Sequence, residues 1–121
     1  MGRATVLIVD DDRDIVELLE EALWLEGYRV LSAVDWEALR LAHEQRPDVI
    51  LLDLLMPGLD GEEVARRLRA DQATRDIPIV VMSAHDRRLM SATKLPVDDQ
   101  LLKPFHLDHL FETVGRWAKP A

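Results

Sequence analysis

The stretch VILLDLLMPGLDG, residues 49–61, joins an apolar run to a turn through one carboxylate, and it decides the fold. Residues 49–52 are all apolar, which is typical of a strand that is buried on both faces of a sheet. Asp53 stands where that strand is expected to end, and Pro57 and Gly58 then favour a turn. A carboxylate in this position is held by the core but open at its tip, as a nucleophile or a metal ligand requires.

The composition predicts a single acidic globular domain over residues 1–121. A chain of 121 residues with 48% apolar side chains can bury one substantial core. The net charge of -8 argues against direct nucleic-acid binding and favours divalent cations and basic partner surfaces. The absence of cysteine excludes disulfides and thiolate chemistry. No apolar run is long enough for a membrane span and no signal peptide is recognisable, so we expect a cytoplasmic protein without membrane partners.

Strand and helix signals alternate along the chain. Strands are expected at residues 6–9, 28–32, 49–52, 79–82 and 100–102, the second and the last being less buried than the others. Apolar stripes at helical spacing separate them, as at Ile15, Leu18, Leu19 and Ala22. Residues 86–94 are polar and weakly periodic, and Pro96 comes soon after them, so the fourth helix is expected to be short or irregular. The pattern predicts an α/β fold with a doubly wound, five-stranded parallel sheet and helices on both faces.

Polar side chains follow the predicted strands at their carboxyl ends, where doubly wound sheets bind ligands. They are Asp10 and Asp11 after the first strand, Asp53 after the third, Ser83 (followed by the apolar Ala84) after the fourth and Lys103 after the fifth. Clustered carboxylates repel one another unless a cation lies among them, and their oxygens suit Mg²⁺. Asp53 is then a metal ligand, a nucleophile that forms an acyl phosphate, or both. Ser83 and Lys103 would contact the phosphoryl oxygens.

Several charged residues near these positions are expected to be structural. Asp12 precedes the first helical stripe and is expected to cap that helix rather than to bind a metal. Asp60 precedes Gly61 and is expected to belong to a turn. The arginines at positions 66, 67 and 69 are expected to form a solvated helix face.

Four motifs, taken in order, resemble the receiver domain of response regulators from bacterial two-component signal transduction systems. The motifs are VLIVDDD at 6–12, LLDLLMPGLDG at 51–61, VVMSA at 80–84 and LLKPF at 101–105. The resemblance covers essentially the whole chain. It implies a flavodoxin-like sheet with strand order 2-1-3-4-5 and a cis bond before Pro104.

The resemblance also implies roles for individual residues. Asp53 would be the phosphoacceptor, and Mg²⁺, or Mn²⁺ as an alternative, would bind to Asp10, Asp11, Asp53 and the backbone carbonyl of Leu55. Ser83 would be the switch hydroxyl, with Ala84 beside it, and Lys103 would contact the phosphoryl group. The phosphoryl donor would be a histidine kinase or a phosphotransfer protein, and no external substrate would be turned over. The sequence does not indicate the downstream effector.

The sequence departs from the family pattern where the family transmits its signal. Gln100 stands where the family usually has Tyr or Phe, and Ser83 stands where Thr is commoner. Three classes of function stay open beside the phosphorylation-dependent switch, and these departures favour the first of them. One is a phosphorelay intermediate or phosphate sink, which needs the acidic pocket but no aromatic switch. The others are a non-phosphorylated interaction module and a metal-dependent phosphatase, which usually has a second acid where Leu55 stands.

Leu55 and His85 occupy the positions that border the phosphoryl group in receivers. An aliphatic side chain cannot orient water, so we expect Leu55 to slow the loss of the phosphoryl group. The substitution Leu55→Asn should therefore shorten the half-life of the phosphorylated protein, measured by the decay of the phosphoryl adduct after removal of the donor. An unchanged decay rate would contradict this role.

Overall fold

A five-stranded parallel sheet lies at the centre of the computed structural model, which describes residues 3–34, 36–56, 59–83 and 96–118, without the side chains of residues 55, 56, 59, 60 and 83. The strands are β1 Thr5–Val9, β2 Arg29–Ala33, β3 Val49–Asp53, β4 Leu55–Met56, β5 Leu59–Asp60, β6 Ile79–Ser83 and β7 Asp99–Leu102. The helices in these ranges are α1 Arg13–Leu25, α2 Glu37–Gln45, α3 Gly61–Ala70 and α4 Leu107–Trp117. The sheet order β2-β1-β3-β6-β7 confirms the predicted 2-1-3-4-5 order, because β4 and β5 pair separately as a short antiparallel ladder.

The helices cover both faces of the sheet, as predicted. Alternate strand residues point to opposite faces, so that Leu7 and Ile50 lie in one apolar core and Ile8 and Leu51 lie in the other. The first core packs against α2 and α3, and the second packs against α1 and α4. The central strands β1 and β3 are buried throughout, whereas the edge strand β2 is mostly half-buried or exposed. The predicted helix over 86–94 lies outside the described residues. Among the helices described, none has the length and apolarity that a bilayer crossing needs.

Arg69 corrects the expected solvated arginine face of α3. Its guanidinium donates to the carbonyl oxygens of Pro96, Arg75 and Ile77, at 3.0, 3.0 and 2.7 Å, and pairs with Asp98 at 2.6 Å. The same Asp98 oxygen accepts from the backbone N–H of Ile79 at 2.8 Å. Arg69 therefore ties the end of α3 to the beginnings of β6 and β7. Its neighbours at positions 66 and 67 do lie on an exposed face, where they pair with glutamates one turn away.

Asp99 joins the edge strand β7 to α4. It accepts hydrogen bonds from the Trp117 indole N–H at 2.9 Å and from Arg116 at 3.1 Å. Burial alone would raise the pKa of Asp99, but these bonds, the Gln100 backbone N–H and the charge of Arg116 outweigh it and hold the pKa below its ordinary value. The carboxylate is therefore the form that ties α4 to the sheet edge at neutral pH.

Gly61 sets how closely α3 approaches the end of β3. A Cβ atom at this position would lie 2.8 Å from the Leu54 Cα atom, 3.0 Å from the Leu54 carbonyl oxygen and 3.1 Å from the Asp53 carbonyl oxygen. The shortest of these distances is one that Cβ atoms essentially never show, the other two are unusually tight, and all three neighbours are backbone atoms. Glycine at the start of α3 therefore allows the backbone after β3 to pass directly beneath the helix.

We expect Gly61→Ala to lower the free energy of unfolding by about 1–3 kcal/mol, because an added methyl group must push this backbone aside. Gly115→Ala in α4 is the matched control, since its Cβ would meet nothing closer than the Tyr28 hydroxyl at 3.8 Å. In that helix the alanine should instead stabilise the fold by about 0.5–1 kcal/mol. Urea unfolding of both variants measures the difference, and equal stabilities would contradict the close approach.

Candidate functional site

Three carboxylates meet at the carboxyl edge of the sheet. Asp10 directly follows β1 and Asp53 ends β3, and these strands are neighbours in register, with Val9 opposite Leu52. Asp10 and Asp53 are 1% and 6% exposed, whereas Asp11 lies at the surface. One oxygen from each of the three side chains lies within 4.8 Å of the others. The parallel sheet thus brings together acids that are more than forty positions apart in the chain.

Lys103 brings a positive charge to this cluster. It follows β7 directly, and its ammonium nitrogen lies 3.1 Å from Asp10 Oδ2 and 3.7 Å from Asp53 Oδ2. Its side chain is 21% exposed, so that the amine reaches the carboxylates while keeping contact with solvent. The bond between Lys103 and Pro104 is cis, as the resemblance implies. The ammonium offsets part of the repulsion between the two buried carboxylates.

Asp10 and Asp12, which lie just before α1, make different hydrogen bonds and have different roles. The Asp12 backbone N–H donates to Asp10 Oδ1 at 2.9 Å, which fixes that carboxylate. The Asp12 side chain instead accepts from the backbone N–H groups of Asp14 and Ile15, at 3.1 and 3.4 Å. Asp12 is therefore the N-cap of α1, as predicted, and it is not a member of the acidic cluster.

The donor set of the cluster fits a hard divalent cation. The grouped carboxylates of Asp10, Asp11 and Asp53 offer only oxygen atoms, and the exposed Asp11 leaves the site open to water. Mg²⁺ prefers oxygen ligands and keeps several waters, which matches a partly open site with few protein donors. These three residues are the ones that would hold the ion.

The remaining predicted site residues are described to different extents. Leu55 begins β4, where it is opposite Asp60 in β5. Its backbone lies close to the end of β3 because it follows Asp53 by two residues, and its side chain is not described. Ser83 ends β6 opposite Leu102, at the same edge of the sheet, but its side chain is also not described. Ala84 and His85 lie outside the described residues.

Gln100 lies in β7 opposite Val81 and is half-buried. Its side-chain oxygen Oε1 is inaccessible to solvent and has no hydrogen-bond partner among the described residues. Its neighbour Leu101 belongs to the core beneath α1 and α4, so Gln100 points to the opposite face of the sheet. The position at which the resemblance implies an aromatic residue thus carries an amide whose oxygen atom is buried.

An apolar groove runs beside Lys103, and it includes Ile15 and Phe105, for which the sequence left core packing and a docking surface open. It is lined by Ile15, Leu18, Leu19, Lys103, Pro104, Phe105 and Leu107. Leu18 and Leu107 are 52% and 40% exposed, whereas Ile15 and Phe105 pack partly against the core. The sequence signal was present, because Leu18 belongs to the stripe of α1, but the stripe is wider than the surface that the sheet covers. The groove offers an exposed aliphatic surface next to the charged cluster.

Comparison with known proteins identifies relatives over almost the whole chain. Residues 6–115 match the response regulator receiver domain family. The chain is 47% identical over 113 residues to the transcriptional regulatory protein PrrA of Mycobacterium bovis, a match that covers 90% of this chain and 47% of that protein. The chain therefore spans about half the length of the curated relatives that it matches.

Solved structures of receivers share the fold. The receiver domain of the sensor histidine kinase PA1611 from Pseudomonas aeruginosa, with a magnesium ion coordinated in its active-site cleft, is similar at a TM-score of 0.87 and 32% identity, covering 97% of this chain and 98% of that one. A structure of the histidine kinase ThkA in complex with the response regulator TrrA of Thermotoga maritima contains a chain similar at a TM-score of 0.82 and 35% identity, covering 96% and 99%. By its fold, its acidic cluster and its sequence, this chain belongs to the response regulator receiver domain family.

Proposed function

We propose that this chain is a phosphorylation-dependent signalling switch that accepts a phosphoryl group on Asp53. The observation that carries the proposal is the Lys103 ammonium nitrogen, 3.1 Å from Asp10 and 3.7 Å from Asp53 within a cluster of three carboxylates. This arrangement surrounds one nucleophilic oxygen with a cation site and a fixed ammonium. Phosphoryl transfer needs positioning and charge stabilisation, and both are supported by this geometry.

In the proposed reaction, an oxygen of the Asp53 carboxylate attacks the phosphorus atom of a phosphohistidine. A phosphorus–oxygen bond forms, the phosphorus–nitrogen bond breaks, and the departing imidazole nitrogen takes up a proton. Lys103 would pair with one phosphoryl oxygen, while Ser83 and the backbone of Ala84 would contact the others. A bound Mg²⁺, held by Asp10, Asp11, Asp53 and the carbonyl of Leu55, would neutralise further charge. The chain would return to its starting state by losing the phosphoryl group to water.

The apolar groove beside Lys103 is the proposed docking surface for the phosphoryl donor. It lies next to the acidic cluster because Lys103 contributes to both. An amphipathic helix that carries a phosphohistidine can bury its apolar face in such a groove while the histidine reaches the edge of the sheet. The solved complex of ThkA with TrrA supports a histidine kinase as the donor.

Gln100 favours a second candidate, a phosphorelay intermediate or phosphate sink. These functions require the acidic pocket and the groove but no residue that moves inward to signal phosphorylation. The amide at position 100 cannot take the place of an aromatic ring in an apolar pocket without burying its polar atoms. The two candidates share the chemistry at Asp53 and differ only in whether the phosphoryl group is read by an effector or passed on and lost.

Incubation with acetyl phosphate and Mg²⁺ tests the chemistry directly. Intact mass measurement should show a single phosphoryl adduct on the wild type, and none on Asp53→Asn or after chelation of the metal. Asp12→Asn is the matched control, because asparagine caps a helix as well as aspartate does and Asp12 is not in the cluster. A wild type that stays unmodified would favour the interaction module instead. Sustained hydrolysis of acetyl phosphate would favour the phosphatase.

Phosphotransfer from a kinase tests the docking groove separately from the chemistry. Phosphorylated histidine kinases are screened against the wild type, and the fastest donor is used. Leu18→Arg should then slow transfer about tenfold or more, because it places a charge in an apolar contact surface. Labelling by acetyl phosphate should be unchanged. Leu25→Arg, on an exposed leucine of the same helix outside the groove, is the control. Equal transfer rates for the two variants would exclude this groove as the docking site.

A further inference from the structure

Trp24 is an exposed aromatic residue on a face of α1 that the phosphoryl chemistry does not use. Its side chain is 60% exposed. Glu17, Glu20 and Glu21 precede it at the spacing that places all four residues on one face of the helix. Large aromatic residues at the surface are typical of protein interfaces rather than of free solvent-exposed helices.

Charges of opposite sign lie on either side of Trp24. One cavity is lined by Glu17, Glu20, Glu21, Trp24 and Val30. A second cavity shares Trp24 and Val30 but is otherwise lined by Arg3, Thr5 and Arg29. Helix α1 runs from the carboxyl edge of the sheet toward its amino edge. The glutamates therefore lie on the side of Trp24 nearer the carboxyl edge, and the arginines lie on the side nearer the amino edge. We call this strip, Arg3, Glu17, Glu20, Glu21, Trp24, Arg29 and Val30, the Trp24 surface.

Within the ranges that the structure describes, the charges of the Trp24 surface are not neutralised by ion pairs. The Arg29 guanidinium donates to the neutral Gln45 side chain, at 3.3 Å, and it forms no salt bridge to a described residue. The three glutamates and Arg3 likewise form no salt bridge to a described residue. The arginines of α2 and α3 differ, since Arg40, Arg66 and Arg67 each pair with a glutamate on the same helix. The Trp24 surface therefore offers two charged groups to a partner. We call Glu17, Glu20 and Glu21 the acidic arm, and Arg3 and Arg29 the basic arm.

The strand beside this surface has an unpaired outer edge in the described sheet. In the described sheet, β2 is an edge strand that pairs only with β1, and its Val30 and Leu31 are half-exposed. An exposed edge with apolar side chains is a surface that proteins tend to cover. Leu31 packs on the α2 face of the sheet, whereas Val30 lies on the α1 face and lines both cavities beside Trp24. The aromatic anchor, the two charged arms and the half-exposed Val30 together form one continuous strip.

We propose that the Trp24 surface binds a second copy of this chain about a two-fold axis through Trp24. A two-fold interface brings each half of a surface against the other half of its copy, so it requires self-complementarity. Acid on one side of Trp24 and base on the other meet this requirement, since the acidic arm of each copy then faces the basic arm of its partner. A basic partner would place like charges against the arginine arm, and an acidic partner would place like charges against the glutamate arm.

Charge reversal on the full 121-residue chain tests the two-fold pairing. Glu20→Arg with Glu21→Arg makes both arms basic, and Arg3→Glu with Arg29→Glu makes both arms acidic. Sedimentation velocity over a range of concentrations should show that the wild type dimerises and that each double variant is monomeric. An equimolar mixture of the two variants should recover a dimer, because each arm then faces an arm of opposite net charge. A mixture that remains monomeric would overturn the proposal.

Tryptophan substitution tests the anchor. Trp24→Ser should weaken the dimer about thirtyfold or more, as expected for a central aromatic residue. Trp36→Ser is the matched control, because Trp36 is 43% exposed at the N-cap of α2, away from the Trp24 surface, and the Arg67 guanidinium lies 4.8 Å from its ring centre. Circular dichroism melting confirms that the variants remain folded. A wild type that is monomeric at millimolar concentration, or a dimer that Trp24→Ser leaves intact, would overturn the proposal.

Discussion

The contact between the Lys103 ammonium and the carboxylates of Asp10 and Asp53 is the interaction on which the site depends. Two nearly buried carboxylates side by side are unfavourable in a medium of low dielectric constant, so a positive charge has to lie between them. The ammonium supplies it at 3.1 and 3.7 Å while remaining partly solvated, which lowers the cost of its own burial. A cation bound by the carboxylates would meet the same demand, so the lysine and a metal ion serve one electrostatic purpose.

The rest of the fold keeps these charges together. The charged groups each follow or end a strand of one parallel sheet, as Asp10, Asp53 and Lys103 do. An apolar core packs against each face of that sheet and holds its strands in place. Arg69 and Asp98 fix the starts of β6 and β7, so that the strand ends with Ser83 and Leu102 arrive in register. Because Gly61 has no Cβ atom, the start of α3 can lie in close contact with the backbone of Asp53 and Leu54. Contacts at both ends of the sheet thus set the geometry at its carboxyl edge.

The sequence predicted the strands and the clustered acids because both depend on local patterns. Short runs of aliphatic residues between helical stripes indicate buried strands, and in a parallel sheet the residues that follow each strand lie at the same edge. The role of Arg69 depended instead on Pro96 and Asp98, which lie almost thirty positions away, and no local pattern distinguishes it from its exposed neighbours. Likewise, the sequence marks Gly61 as a turn residue, but only the folded backbone shows that a Cβ there would collide with Leu54.

Two neighbouring residues of strand β7, Asp99 and Gln100, point to opposite faces of the sheet and have different environments. Asp99 is bound by Trp117 and Arg116, so it couples the sheet edge firmly to α4. Gln100 points to the other face, and its Oε1 atom is buried without a hydrogen-bond partner among the described residues. An aromatic residue at this position would respond to the opening of an apolar pocket, whereas an amide responds to a hydrogen-bond donor. Signalling through Gln100 would therefore require a polar group to approach β7, which is a different demand on the partner from the one that a ring makes.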